Sequence, residues 1–134
     1  MNQIFFSHKS DNWSTPKKLY AELDAIWHFD HDPCPLNSDV EALGIFENWG
    51  FMNFVNPPYS NIKQFLQTAI QILPNGKSSV FLIPVRTSTK WFHDLVMPHA
   101  TRIEFIKGRV SFGESKSHPP FDSMLVYFIA EGRQ

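Results

Sequence analysis

Two short apolar runs, residues 51–55 and 80–83, constrain this chain most, because breakers bound both and a helical pattern separates them. The first runs into Asn56-Pro57-Pro58-Tyr59. Neither proline can donate to a sheet ladder, so a strand must stop there. Between the runs, Ile62, Phe65, Leu66, Ala69 and Leu73 recur with helical period until Pro74-Asn75-Gly76 ends the pattern. Strands alternating with amphipathic helices predict an α/β domain with a largely parallel sheet and helices on both faces. The same grammar extends outward. Thr15-Pro16 reads as a side-chain cap followed by proline at the first helical position, and Leu19, Leu23, Ile26 and Trp27 then form one buried stripe. Residues 29–32 are strand-like and residues 35–50 mostly loop. Ser60 is placed to cap the middle helix, and Thr87 or Ser88 one carrying Trp91, Phe92, Leu95 and Val96. Ile103, Phe105 and residues 123–129 mark further strands, with a polar loop over 113–122.

A chain of 134 residues that is 43% apolar and 19% charged predicts a single globular domain spanning 1–134. Its one cysteine, Cys34, excludes an internal disulfide framework and a thiolate zinc cluster. The longest apolar run, residues 124–130, is far too short to span a membrane, and residues 1–3 lack a signal-like start. A cytoplasmic location and no membrane partner are therefore expected. The net charge of −1 argues against a dedicated polycationic nucleic-acid binder, but its distribution is uneven. Through Ser60 there are three lysines against eight acidic residues, or −5; the remainder carries nine basic against five acidic residues, or +4. Such asymmetry suggests one side facing an anion while the other does different work, and scattered solvated charge produces the same split.

In sheets of this kind ligands bind at the carboxyl ends of the strands. Two predicted strands end in unusual polar chemistry there: residues 30–34, and Asn56-Pro57-Pro58-Tyr59. Successive prolines fix the backbone, so the Asn56 amide oxygen and the Pro57 carbonyl form a pair of neutral acceptors held in one geometry. Such a pair suits an amino group with two N–H donors, and Tyr59 offers a face on which a planar ring can stack.

Asn56-Pro57-Pro58-Tyr59 resembles the catalytic motif of amino-group methyltransferases. The whole chain resembles the phage-type DNA N6-adenine methyltransferases. The resemblance is carried in order by Asp11-Asn12-Trp13-Ser14-Thr15-Pro16, Phe29-Asp30-His31-Asp32-Pro33-Cys34 and Trp49. After the Asn-Pro-Pro-Tyr motif it continues through Leu82-Ile83-Pro84, Thr89-Lys90-Trp91-Phe92, Arg102-Ile103, Gly108-Arg109-Val110-Ser111-Phe112 and residues 123–128. It implies a reduced Rossmann-like methyltransferase domain that uses S-adenosyl-L-methionine to methylate adenine N6 in DNA. The adenine would be flipped from the stack. Asn56, Pro57, Pro58 and Tyr59 would then be catalytic. Trp13, Thr15, Pro16, Asp32, Pro33 and Cys34 would hold the cofactor, with Asp30 or Asp32 near its positive charge. No metal is implied, and restriction-modification is the setting the resemblance brings with it. The bacterial or phage-infected host cytoplasm is the corresponding location. One departure is plain, since none of the six glycines falls in the loop after residue 32 to form a glycine-rich cradle.

Competing readings narrow the rest. Cys34 reads as a small residue packed near cofactor more than as a reactive thiol. Strand alternation separates His31 from His28, Asp30 and Asp32, which argues against a metal site. Arg86, Lys90, Arg109 and Lys116 are the candidates for DNA phosphate contacts. No segment provides a target-recognition domain, so DNA reading falls to loops 35–50 and 111–122 or to a second protomer in a homodimer. The alternatives are a methyltransferase acting on RNA or protein and a non-catalytic nucleic-acid-binding module.

Overall fold

A computed structural model describes residues 13–36, 38–42, 44–108 and 121–132. Helix α1 (Lys17–Trp27) precedes strand β1 (Met52–Val55), and a 3-10 turn at Tyr59–Asn61 leads into α2 (Ile62–Ile72). A second such turn, Leu73–Asn75, closes on Gly76 with φ at 82°, a left-handed backbone that glycine accepts without strain. Strand β2 (Ser78–Pro84) follows, then a π-helical segment (Phe92–Val96) continued by the short α3 (Met97–His99). Strands β3 (Arg102–Phe105) and β4 (Ser123–Phe128) complete the sheet.

The sheet order is β1-β2-β4-β3. β1 pairs parallel with β2, whereas β4 runs antiparallel to both β2 and β3. The fold is therefore mixed α/β, and the expectation of a largely parallel sheet is corrected: two of its three ladders are antiparallel. β1, β2 and β3 nevertheless share one direction, because β2 and β3 both oppose β4. The order of the strands, though not the direction of β4, has a compositional cause. β4 is buried throughout and apolar after Ser123, so it takes the centre, while the charged Arg102-Ile103-Glu104-Phe105 strand is left at the edge. An apolar run announces burial but not strand direction.

Side-chain alternation divides the core in two. Met52, Phe54, Val80, Leu82, Leu125 and Tyr127 point to the face covered by Leu23 of α1. Val55, Phe81, Ile83, Met124, Val126 and Phe128 meet Phe65, Leu66 and Ala69 of α2, with Phe92 and Val96 beside them. Helices thus lie on both faces, as expected.

Several local expectations shift. α1 starts one residue later than the Thr15-Pro16 signature predicts: Pro16 is the N-cap and no side chain caps the helix. Asn61, not Ser60, precedes α2, again without a side-chain cap. The residue that caps the segment after β2 is Thr89, whose Oγ1 accepts the Phe92 N–H at 3.2 Å. Residues 29–32, expected to be strand-like, lie beside β1 but pair with it only as an isolated parallel bridge between His31 and Asn53. It is supported by Asp30 N–H to the Met52 carbonyl (2.9 Å) and Phe54 N–H to the His31 carbonyl (3.0 Å).

Candidate active site

At the carboxyl end of β1 the chain leaves the sheet at Asn56, and Pro57 and Pro58 are both buried. Asn56 opens onto a cleft of about 380 Å³ whose other walls come from the residues before α1 and from the loop after residue 32. Trp13, Thr15, Asp32 and Cys34 line it together with Asn56, so four predicted cofactor residues meet the predicted catalytic one. Pro16 and Pro33 shape the adjoining backbone without lining the cleft.

The Asn56 amide is held firmly. Its Nδ2 donates to the Trp13 carbonyl and, at 3.1 Å, to Thr15 Oγ1. A carbonyl can only accept, so the amide nitrogen must face Trp13 and the amide oxygen must face away. That oxygen is buried and has no hydrogen-bond partner among the described residues. An unsatisfied buried acceptor costs about 1–3 kcal/mol, which an incoming N–H donor would relieve.

Asp30 and Asp32, left as alternatives by the sequence, separate clearly. The Asp30 carboxylate accepts the Phe51 and Met52 N–H groups at 3.2 and 3.1 Å, at the amino end of β1. The structure does not bring it to the cleft. Asp32 lines the cleft, and its Oδ1 accepts the Cys34 N–H at 3.0 Å, holding the turn around Pro33. The residue keeps solvent exposure, yet its carboxyl titrates above the ordinary carboxylate range because the surrounding protein strips water from it. The Cys34 N–H and the nearby His31 pull the other way. Cys34 is buried, and that burial, with the Asp32 charge beside it, pushes its thiol up to about 11. A thiol so high is a packing group, not a nucleophile.

The Asp32 shift predicts a stability effect with a definite sign. A raised carboxyl pKa means that the folded protein holds the proton more tightly than the unfolded chain. The folded state is therefore relatively disfavoured as pH rises through that range. Asp32→Asn is expected to melt at the same temperature as the parent or slightly higher at neutral pH, with the difference closing in acid. Melting curves from pH 4 to 8 check this. A parent that gains stability over the variant as pH rises would reverse the assignment.

An aromatic group lies beside Asn56. Phe121 packs edge-on against Tyr59 (centroids 5.1 Å apart) and Trp13 (6.1 Å), joining the Asn-Pro-Pro-Tyr turn to the start of the chain's described part. Asp122 follows it, and its carbonyl accepts the Val85 N–H at 2.8 Å. Arg86 and Lys90 are exposed beyond β2, which is parallel to β1, so they lie at the same end of the sheet as Asn56. Arg109 and Lys116 fall outside the described residues.

Sequence reasoning missed Lys17, Tyr20, Leu36 and Phe54 as cleft-lining residues, and Phe121 beside the motif. Phe54 was legible in principle: alternation along β1 puts it on the opposite face from Val55. Phe121 carries no local signal, because only the return of the chain into β4 brings it to Tyr59.

The family described as DNA N-6-adenine-methyltransferase (Dam) matches residues 5–125. A DNA N-6-adenine-methyltransferase of Haemophilus phage HP1 (strain HP1c1) is 32% identical over 136 residues, covering 88% of this chain and 78% of that protein. A DNA N-6-adenine-methyltransferase of Escherichia phage T1 is 30% identical over 93 residues, covering 61% of this chain and 39% of its own length. No solved structure matches the chain. A match that runs through the Trp13–Thr15 wall, the Asp32 turn and the Asn56 acceptor alike leaves one conclusion: the chain belongs to the DNA N-6-adenine-methyltransferase family.

Proposed function

We propose that this chain methylates the N6 amino group of adenine in DNA with S-adenosyl-L-methionine as donor, at the turn formed by Asn56, Pro57, Pro58 and Tyr59. The observation that carries this reading is the Asn56 amide: both its hydrogens are engaged and its oxygen is left as a buried acceptor with no partner among the described residues.

The cleft suits the donor. About 380 Å³ lies in the range of small-ligand sites. Asp32 offers negative charge for an ammonium or sulfonium, Lys17 and the Thr15 hydroxyl offer partners for a carboxylate, and Trp13 and Tyr20 offer aromatic surface. When bound, S-adenosyl-L-methionine supplies an electrophilic methyl group.

The chain supplies alignment. The Asn56 oxygen and the Pro57 carbonyl accept the two amino hydrogens, which draws the nitrogen lone pair out of the adenine ring and orients it. As the nitrogen acquires its new bond it becomes positively charged, and both acceptors then bind its hydrogens more strongly than in the ground state. The methyl group would leave the donor's sulfonium as a neutral thioether, and the proton of the methylated nitrogen would pass to solvent water. Tyr59 stacks on the flipped ring. Arg86 and Lys90 hold backbone phosphate, with Arg109 and Lys116 proposed for the same task.

The domain reads as a reduced Rossmann-like unit, with β4 reversed among three co-directional strands. It is proposed to be a minimal catalytic domain that depends on loops or on a homodimer partner for reading DNA. No helix among the described residues is long and apolar enough to cross a membrane.

Incubation with methyl-labelled S-adenosyl-L-methionine and unmodified DNA, RNA or protein tests the reading. Label in DNA that digests to N6-methyladenosine is expected. Label confined to RNA or protein overturns the substrate, and no transfer to any of the three overturns the catalytic assignment.

A further inference from the structure

Thr15 and Pro16 form a sequence that would ordinarily start a helix, the threonine hydroxyl satisfying a free N–H of the first turn. Here that use is absent. α1 has Pro16 as its N-cap and no side-chain cap. The Thr15 hydroxyl is instead directed across the cleft, where its oxygen accepts from Asn56 Nδ2 at 3.1 Å, forty-one residues away in sequence. The adjacent Trp13 carbonyl takes the other hydrogen of the same amide. Two acceptors on one three-residue segment therefore fix both hydrogens of a side chain that belongs to a different element.

The consequence is directional. An asparagine amide can turn over and exchange its oxygen for its nitrogen at little steric cost, so its acceptor face is reliable only where its donor face is fixed. With both hydrogens engaged, the oxygen is left buried and without a partner among the described residues. Were the amide reversed, its oxygen would face the Trp13 carbonyl, which cannot donate to it, the Thr15 hydroxyl would have to turn from acceptor to donor, and the amide N–H groups would face the substrate amino group. That arrangement places donors against donors.

We infer that Thr15 is a positioning residue for methyl transfer: with the Trp13 carbonyl, it locks the Asn56 amide with its oxygen toward the substrate amino group. The inference deepens the proposed function and rests on it. It separates from simple cofactor binding because Thr15 spends an oxygen lone pair on Asn56 and keeps its own O–H to donate elsewhere. One hydroxyl thus links the cleft wall to the catalytic acceptor.

The test compares Thr15→Val, which keeps the shape and loses the hydroxyl, with Thr15→Ser, which restores the hydroxyl. Single-turnover methyl transfer to adenine-containing DNA is measured at saturating S-adenosyl-L-methionine, and binding of S-adenosyl-L-methionine is measured separately by calorimetry. Thr15→Val is expected to lower the transfer rate by roughly tenfold or more, the kinetic size of one well-made hydrogen bond, with cofactor affinity changed far less. Thr15→Ser is expected to recover most of the rate. An unchanged rate in Thr15→Val, or a loss confined to cofactor affinity, overturns the inference while leaving the adenine reading intact. Equal loss in both variants also overturns it, since a hydroxyl alone should then have sufficed. If the parent itself transfers no methyl group to DNA, the functional reading fails instead.

Nuclear magnetic resonance supplies a readout independent of activity and of folding of the valine variant. The Asn56 side-chain amide protons, assigned by their disappearance in Asn56→Asp, are expected to exchange slowly with solvent in the parent protein and to shift in Thr15→Ser. Rapid exchange like that of exposed asparagines overturns the inference.

Discussion

Asn56→Ala is expected to abolish methyl transfer while leaving a folded protein. Removing one preorganised acceptor from a reaction that develops charge typically costs about a hundredfold to a thousandfold in turnover. Here the lost oxygen is also half of the amino group's recognition. The effect on stability should be small because two terms oppose each other. The substitution takes the Asn56 donor from the Trp13 carbonyl, but also removes a buried acceptor with no partner among the described residues. The net change is expected to stay within about 1 kcal/mol. Asn56→Asp makes a sharper comparison: it keeps an acceptor but sets a carboxylate oxygen against the Trp13 carbonyl, so the fold should suffer more than in the alanine variant. Turnover and thermal melting of both variants check this, and near-parental activity in Asn56→Ala would sink the proposed role.

Gly50→Ala is expected to be the most disruptive alanine substitution among the described glycines. A Cβ at this position would lie 2.2 Å from Asp30 Oδ1 and 2.8 Å from His31 Cβ, far inside contact distance. Neither neighbour can yield cheaply. The Asp30 carboxylate is bound to the Phe51 and Met52 N–H groups, and His31 bridges to Asn53. Buried Asn53 in turn accepts the Gly50 N–H (2.8 Å) and donates to the Gly50 and Ser78 carbonyls (2.9 and 3.0 Å). The added methyl therefore strikes the polar knot that aligns residues 30–31, β1 and β2. A loss of roughly 2–4 kcal/mol is expected, or a melting point lower by about 10 °C or more. Asp30→Ala in the same chain should recover only part of it, because the contact with His31 remains. A melting point within about 2 °C of the parent contradicts the account.

These two positions show what the sequence could and could not reveal. Asn56 was legible because its motif is local: a strand, two prolines and an aromatic residue mark an acceptor at a strand end, although the groups that orient its amide lie some forty residues away. The α2 stripe was legible for the same reason, since the period of apolar residues is a property of neighbours; the α1 stripe was legible only in part, because Leu23 is buried and Leu19 and Trp27 half-buried while Ile26 is 67% exposed. Asp30 was not. It shares a strand face with Asp32, and only the approach of β1 shows that one carboxylate is consumed by backbone N–H groups while the other lines the cleft. Thr15 misled in the same way, because a residue type suited to capping a helix found a distant partner instead. The direction of β4 was hidden as well, since an apolar run reads identically in either sense.

The placement of β4 also governs how the chain must fold. It comes last of the four strands in sequence, yet it stands between β2 and β3 and joins them into one sheet. While this strand is absent, β3 has no ladder and β2 has a bare edge through the middle of both cores. The decisive contacts are therefore separated by dozens of residues, and their loop-closure entropy must be met before any of them stabilises the product. A ribosome-bound chain halted before residue 123 should remain open and exposed to protease along β2. Docking of 123–128 should then bring protection to the whole sheet in a single cooperative step.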